Sequence, residues 1–313
     1  MYIKHYKGFI TLFYLALSAF TIGCKSSQKA ATADIPASLN QKALLWAVSG
    51  KDLKDTSYIF GTIHLIPSKD FFYPKGTERS MEVSEKLIFE IDVAEATDPN
   101  KMMGLMEKLV MKDDKTLKDL MTAKEYAMVE DHFNKNNIPL MFFDRLKPMI
   151  TSTLISQELN PLTNNGNMTS YEIEFNKIAE NAKKQTLGLE TLDFQISIFD
   201  KIPYKKQAKL LVDAIKAIRA GGESSDEFSV MLDLYKKQDL PALGQFIEKS
   251  SLTEGKEMSD ILLLDRNKAW IPKIINLASS SRCFFAVGAG HLPGPNGILM
   301  MLKSQGYQVN PVL

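Results

Sequence analysis

Short apolar runs of strand-like composition cluster towards the two ends of this chain, and the long stretch between them carries helical spacing. Near one end, Ala43 to Val48 contains Trp46, and Tyr58-Ile59-Phe60 follows the polar turn Gly50-Lys51-Asp52, a hairpin pattern. A helix is predicted from about Thr77 to Lys86, and Leu87-Ile88-Phe89-Glu90-Ile91-Asp92-Val93 reads as the next strand. Strand, helix and strand at this spacing predict a βαβ unit with a parallel pair. At the other end come a strand at Cys283 to Val287, a glycine-rich loop to Gly297, a helix near Ile298 to Lys303 and Tyr307-Gln308-Val309.

Between these ends, apolar residues recur at helical spacing in Met102-Met106-Leu109-Val110, Tyr126-Met128-Val129-Phe133, Leu154-Ile155-Leu159 and Leu210-Val212-Ile215-Ile218. Pro139, Pro148, Pro161, Asn164 to Asn167, Pro203 and Gly221-Gly222 break the pattern. One strand, Gln185 to Glu190, interrupts it, and a last helix is expected from about Ser259 to Trp270, limited or kinked by Pro272. The fold class that follows is α/β: a mostly parallel central sheet built from N- and C-terminal segments, with a large central helical insertion at about 100–258. With 313 residues, 45% of them hydrophobic, one such domain over 41–313 can bury a sizeable core. The 15 methionines read as adaptable core filler.

The first residues read as an address. A basic start with Lys4 and Lys7, an apolar run of 14 residues from Phe9 to Ile22 and the pair Gly23-Cys24 form a secretory pattern. The run is shorter than the roughly 20 residues of a membrane span. Cys24 after Thr21-Ile22-Gly23 resembles a bacterial lipoprotein signal, which implies cleavage after residue 23 and acylation of Cys24. Residues 24–40 are small and polar and read as a flexible tether. The expected location is the cell envelope, as a lipid-anchored membrane protein.

Charge and composition exclude several classes. With 38 basic and 37 acidic side chains the net charge is +1, and removal of 1–23 leaves 36 against 37, so no broad electrostatic grip on nucleic acid exists. Two cysteines make neither a disulfide framework nor a cysteine zinc cluster, and Cys283 reads as a buried strand residue. The chain lacks His-Glu-x-x-His, Gly-x-Ser-x-Gly and a Walker loop. Gly288-Ala289-Gly290 is followed by Gly294, one residue late for a dinucleotide loop, and no acidic residue follows Asp265.

Four histidines remain to be placed. Tyr58-Ile59-Phe60 runs into Gly61-Thr62-Ile63-His64, and Phe284-Phe285-Ala286-Val287 runs into Gly288-Ala289-Gly290-His291. Each copy is an apolar strand followed by Gly-x-x-His, where glycine permits a turn or a close backbone approach. Such histidines point to the crevice beyond the carboxyl ends of a parallel sheet. Glu90 interrupts an apolar strand, Glu190 ends another, and Arg266 stands in the apolar helix Ile261 to Asn267. Histidines and carboxylates in one pocket suit a divalent metal that activates water for hydrolysis; the same residues also suit a buried ion-pair network. His132, in Val129 to Lys135, reads as a solvated surface residue.

These residues, in this order, resemble the TraB/PrgY/GumN family, which includes the Tiki metalloproteases and is distantly related to erythromycin esterase and ChaN-like proteins. The resemblance runs from about Leu44 to the C-terminus. It rests on Leu44 to Val48 before Gly61-Thr62-Ile63-His64, on Phe89-Glu90-Ile91-Asp92, on Gly188-Leu189-Glu190-Thr191 with Gln195, on Arg266-Asn267 and on Val287 to Leu292. It implies a divalent-metal-dependent hydrolase, peptidase-like, with manganese or cobalt as the metal and a peptide or protein as substrate. His64, His291 and Glu90 are the implied metal ligands. Glu90, Glu190 and Arg266 are the implied catalytic residues: Glu90 as ligand or general base, Glu190 as a second acid and Arg266 to stabilise developing negative charge. The alternative is a noncatalytic envelope protein that binds a peptide or haem in the same crevice.

Overall fold

Gly50 and Lys51, both at positive φ (94° and 48°), turn the chain between β1 (Leu45–Ser49) and β2 (Ser57–Thr62), and the antiparallel register sets Leu45 opposite Phe60. The structure, a computed structural model, describes residues 35–92, 99–152, 167–219, 224–249 and 256–313. The signal and tether residues 1–34, with Cys24, lie outside the described residues, as do Leu154, Ile155, Leu159 and Pro161. The described residues fall into two compact units, one containing the strands of the main sheet and one helical.

In the sheet unit, β2 leads to α1 (Thr77–Val83) and β3 (Lys86–Ile91). Next come α2 (Tyr171–Asn181), β4 (Gln185–Glu190), α3 (Asp265–Ser280), β5 (Cys283–Gly288), α4 (Ile298–Ser304) and β6 (Gln308–Pro311). The sheet order is β4-β3-β5-β2-β1-β6. The four strands β4, β3, β5 and β2 are mutually parallel, and β1 runs antiparallel between β2 and β6. This is an α/β fold with a mostly parallel six-stranded sheet. The expected βαβ unit therefore does not close on itself. β5, from the far end of the chain, inserts between β2 and β3 and pairs with both, Phe60 opposite Ala286 and Phe89 opposite Ala286.

Continuous apolar runs in β2 and β5 have a direct cause, since both faces of these strands are covered. Phe60 and Phe284 lie under α2, where Phe60 meets Phe175 edge-on at 5.2 Å between ring centroids and Tyr171 at 5.1 Å. On the other face Ile59 and Phe285 share a cluster with Ile274 and Ala278 of α3 and Leu302 of α4. Each such side chain contributes about 1.5–3 kcal/mol on burial. Lys184 ties α1 to the sheet by donating its ammonium hydrogens to the carbonyls of Met81, Glu82 and Ser84 at 2.5–2.7 Å.

The helix that carries Arg266 differs from expectation. An α-helical turn, Lys256–Ser259, runs into a π-helical stretch, Asp260–Leu264, in which the Asp265 N–H donates to the Asp260 carbonyl. It then continues as α3 through Pro272 to Ser280. Proline cannot donate to the carbonyl four residues back. Here that residue is Lys268, and both Lys268 and Pro272 are exposed, where solvent can serve the carbonyl.

The helical unit contains Pro99–Leu109, Leu117–Leu120, Ala123–Lys135, Pro148–Ser152, Leu192–Ile198 and Tyr204–Arg219. Thr122 and Glu125 form a reciprocal capping box at the start of the third. Lys147 is buried and bonds Asp200 at 2.7 Å, and Gln207 serves the carbonyls of Phe199 and Ile202 and the N–H of Met149. His132 is not solvated as its polar sequence neighbours suggested: it is only 8% exposed, packed edge-on to Phe133. The face that buries Val129 and Phe133 extends far enough round this helix to cover it. Gln195 is buried in this unit as well. Among the described residues no helix is long and apolar enough to cross a membrane.

Candidate functional site

The carboxyl ends of the four parallel strands deliver the site, all of it within the sheet unit. β2 ends at Thr62 and leads to His64; β3 carries Glu90; β4 ends in Glu190; β5 ends at Gly288 and leads through a single 3-10 turn to His291. This is where open α/β sheets bind ligands. Arg266, Asn267 and Trp270 enter from the buried face of α3. Glu172 enters from the first turn of α2, after the N-cap Ser170, whose hydroxyl accepts from the Ile173 N–H. A carboxylate there is favoured by the positive end of the helix dipole.

Arg266 is the centre of the cluster and is 1% exposed. Its Nη2 donates to Glu90 Oε2 at 2.5 Å and to Glu190 Oε1 at 2.7 Å, and its Nε lies 3.1 and 3.3 Å from the two Glu190 oxygens. Nη1 donates to the Leu262 carbonyl at 3.2 Å and to His291 Nε2 at 3.0 Å. All of its N–H donors are thus engaged. The guanidinium also lies 4.6 Å from the Trp270 ring centroid, and Trp270 Nε1 donates to Glu190 Oε2 at 2.9 Å. The π-helical stretch contains Leu262, so the irregular turn supplies one of the acceptors that hold Arg266.

The two Gly-x-x-His histidines have different surroundings. His291 accepts from Arg266 at Nε2, so its proton sits on Nδ1 and is donated to Asn267 Oδ1 at 2.7 Å. Asn267 is fixed in turn by donating to the carbonyls of His291 and Asn296. Burial and the neighbouring guanidinium push His291 down to about 3. His64 instead meets a carboxylate, with Nδ1 3.2 Å from Glu172 Oε1. Burial opposes its protonation, but Glu172 and Glu90 outweigh burial and raise its pKa above the ordinary value. The carboxylates separate too. Burial raises Glu90, yet Arg266 and the histidines bring it to about 2, whereas burial keeps Glu190 above the ordinary range despite Arg266.

Gly288 explains why the second copy of the motif needs its glycine. A methyl group there would lie 3.1 Å from Glu90 Oε1, 3.4 Å from His64 Nε2 and 3.7 Å from His291 Cδ2. The Gly288 N–H donates to Glu90 Oε1 at 2.8 Å. Gly61 serves close approach as well: its Cβ would come within 3.1 Å of the Ala289 backbone.

The structure therefore brings His64, Glu90, Glu190, Arg266 and His291 together. Sequence reasoning missed Glu172, and it noted Asn267 without a role. The available signal for Glu172 was its spacing with Phe175 and Ala179 on the apolar face of a helix, a place where a carboxylate needs a partner. Its Oε1 accepts from Thr62 Oγ1 at 2.7 Å as well as facing His64. Its Oε2 is buried with no hydrogen-bond partner.

The donors are of the kind that bind divalent metals, but the three implied ligands do not close around one ion as the side chains stand. Both Glu90 oxygens and both His291 nitrogens are held by Arg266, Gly288 and Asn267. Among the described residues no group of three or more His, Cys, Asp or Glu is placed to hold a metal.

The TraB/PrgY/gumN family model matches residues 44–311. The chain belongs to this family. Metalloprotease TIKI2 of Danio rerio is 21% identical over 342 aligned residues, covering 93% of this chain and 65% of that protein. Metalloprotease TIKI homologs of Amphimedon queenslandica and Nematostella vectensis are each 22% identical, covering 86% and 96% of this chain and 61% and 75% of their own lengths. The chain thus spans less than two thirds of the first two relatives. No solved structure matches it.

Proposed function

We propose that this protein is a hydrolase of peptide bonds, dependent on a divalent metal such as manganese or cobalt, and anchored at the cell envelope by lipid on Cys24. Membership of the family and the metalloprotease names of its relatives support the class of activity. The observation that carries the reading is the His64–Glu172 pair at the carboxyl edge of the sheet, beside a rigid block of Glu90, Glu190, Arg266 and His291. His64 is the proton-handling group: Glu172 orients its ring through Nδ1, and its Nε2 faces the space over Gly288 beside Glu90. It takes a proton from the attacking water and delivers one to the amine as the C–N bond breaks. Arg266 holds Glu90 and Glu190 in place, and it can assist a developing oxyanion only if one of its present bonds is released. A cavity of about 280 Å³ beside Asn267 and Gly290, lined by Ile247, Leu263 and Pro293, offers room for an apolar substrate side chain.

The test is cleavage of a fluorogenic peptide library by the purified protein with and without added Mn²⁺ or Co²⁺, alongside His64→Ala and His291→Ala. The reading expects metal-stimulated cleavage that both substitutions abolish. Cleavage indifferent to metal and to both substitutions refutes it.

A further inference from the structure

We propose that the cavity beside Asn267 and Gly290 recognises a long cationic side chain, lysine or arginine, with its apolar stem between the walls and its charged end at Glu248. The inference rests on the peptide hydrolysis proposed above and narrows the side chain that this cavity takes. Its volume is about 280 Å³, against roughly 150 Å³ for a cavity that admits benzene. Leu39, Ile247, Leu263 and Pro293 give it apolar walls, all within the sheet unit. Among the described residues, Glu248 is the one charged side chain in the lining. Lysine and arginine match this combination, because they bury a hydrocarbon stem on apolar surface while the charged head stays in water.

The position of Glu248 gives the cavity its sign. Glu248 is the last residue of the helix Leu240–Glu248, and no basic residue stands in that final turn. Gly244 and Ile247 of the same turn also line the cavity, whereas Lys249, the next residue, does not. The C-terminal end of a helix carries partial negative charge, so a carboxylate there is unfavourable in the free protein, and a bound cation relieves both. Glu248 is exposed, and its Oε1 lies 3.8 Å from the point that a Cβ on Gly294 would occupy, against the loop that follows His291. The cavity also borders the catalytic cluster: Asn267 in its lining accepts from His291 Nδ1 at 2.7 Å, and Gly290 immediately precedes His291.

The test takes a peptide that the full chain cleaves and sets each position flanking the scissile bond in turn to lysine, norleucine or glutamate. Norleucine keeps the stem and lacks the charge. At one position lysine is expected to exceed norleucine about 2- to 5-fold in kcat/KM, the range that one exposed ion pair supplies. Glu248→Gln brings that ratio to about one and Glu248→Lys inverts it, whereas Glu78→Gln, on α1, leaves it unchanged. Lysine preferred nowhere, or a preference that survives Glu248→Gln, overturns the inference. Saturation-transfer NMR with the methylamides of acetyl-lysine and acetyl-norleucine reads the cavity without cleavage. A chain that cleaves no peptide, yet prefers the lysine probe through Glu248, refutes hydrolysis and leaves this inference standing. Cleavage together with equal binding of the two probes does the reverse.

Discussion

Replacing Arg266 by methionine removes the one guanidinium that two buried carboxylates share, while roughly preserving the volume of the side chain. The wild-type group donates to Glu90, Glu190, His291 and the Leu262 carbonyl and covers the Trp270 face. Its loss leaves Glu90 and Glu190, both buried, without the one guanidinium that they share. Breaking a buried pair in this way costs about 3–5 kcal/mol, and the value near neutral pH belongs at the upper end because two carboxylates are stranded rather than one. The pH dependence provides a sharper test than the magnitude. In the wild type Glu90 is held at about 2 against an ordinary 4.5, so its contribution is present above 4.5 and is lost as pH falls towards 2. Without Arg266, burial at Glu90 is opposed only by the histidines and the Gly288 N–H, and Glu190, already above the ordinary range, rises further. Stability of the variant should then rise as pH falls from 7 to 5, where the stranded carboxylates take up protons. Urea unfolding followed by tryptophan fluorescence and circular dichroism measures this, since the 2 tryptophans, Trp46 and Trp270, both belong to the sheet unit. A cost below about 1 kcal/mol at pH 7, or a variant that weakens on acidification like the wild type, refutes the argument that Arg266 neutralises this cluster.

Other perturbations separate the site from its scaffold. Gly288→Ala places a methyl among Glu90, His64 and His291; it should cost about 1–3 kcal/mol in chemical denaturation and abolish peptide cleavage. Gly104→Ala, in an exposed helical position with nothing within 4 Å, should instead stabilise by about 0.5–1 kcal/mol, and a loss of stability would contradict the placement of that helix. Lys184→Met removes three ammonium–carbonyl bonds at the end of α1 and should cost about 2 kcal/mol without altering Mn²⁺ affinity. Side-chain ¹⁵N resonances at pH 5 should show His291 neutral and His64 protonated. His291, lowered to about 3, contributes stability above its ordinary 6.5 that fades as pH falls towards 3, while the raised His64 contributes below 6.5 and loses its share as pH rises. Equal titration of the two rings would show that the difference between their surroundings is wrong.

Much of this molecule is legible in the chain. The apolar runs around Phe60, Phe89 and Phe285 announce strands buried on both faces, and Gly61, His64, Gly288 and His291 announce strand-end turns, because strand burial and close approach constrain residue type locally. Glu90, Glu190 and Arg266 stand out for the same reason: a charge within an apolar run needs a partner, whatever that partner is. What the tertiary structure alone decided is who the partners are. Strand order placed β5 between β2 and β3, which brings Gly288 against Glu90 across more than 190 residues of sequence. Periodicity carries no information about that pairing. The same packing set the N-terminus of α2 beside β2, so that Glu172 met His64, and it left His291 to Asn267 and Arg266. Two histidines that are equivalent in the sequence became electrostatically opposite, because a histidine's charge is governed by what folds against it.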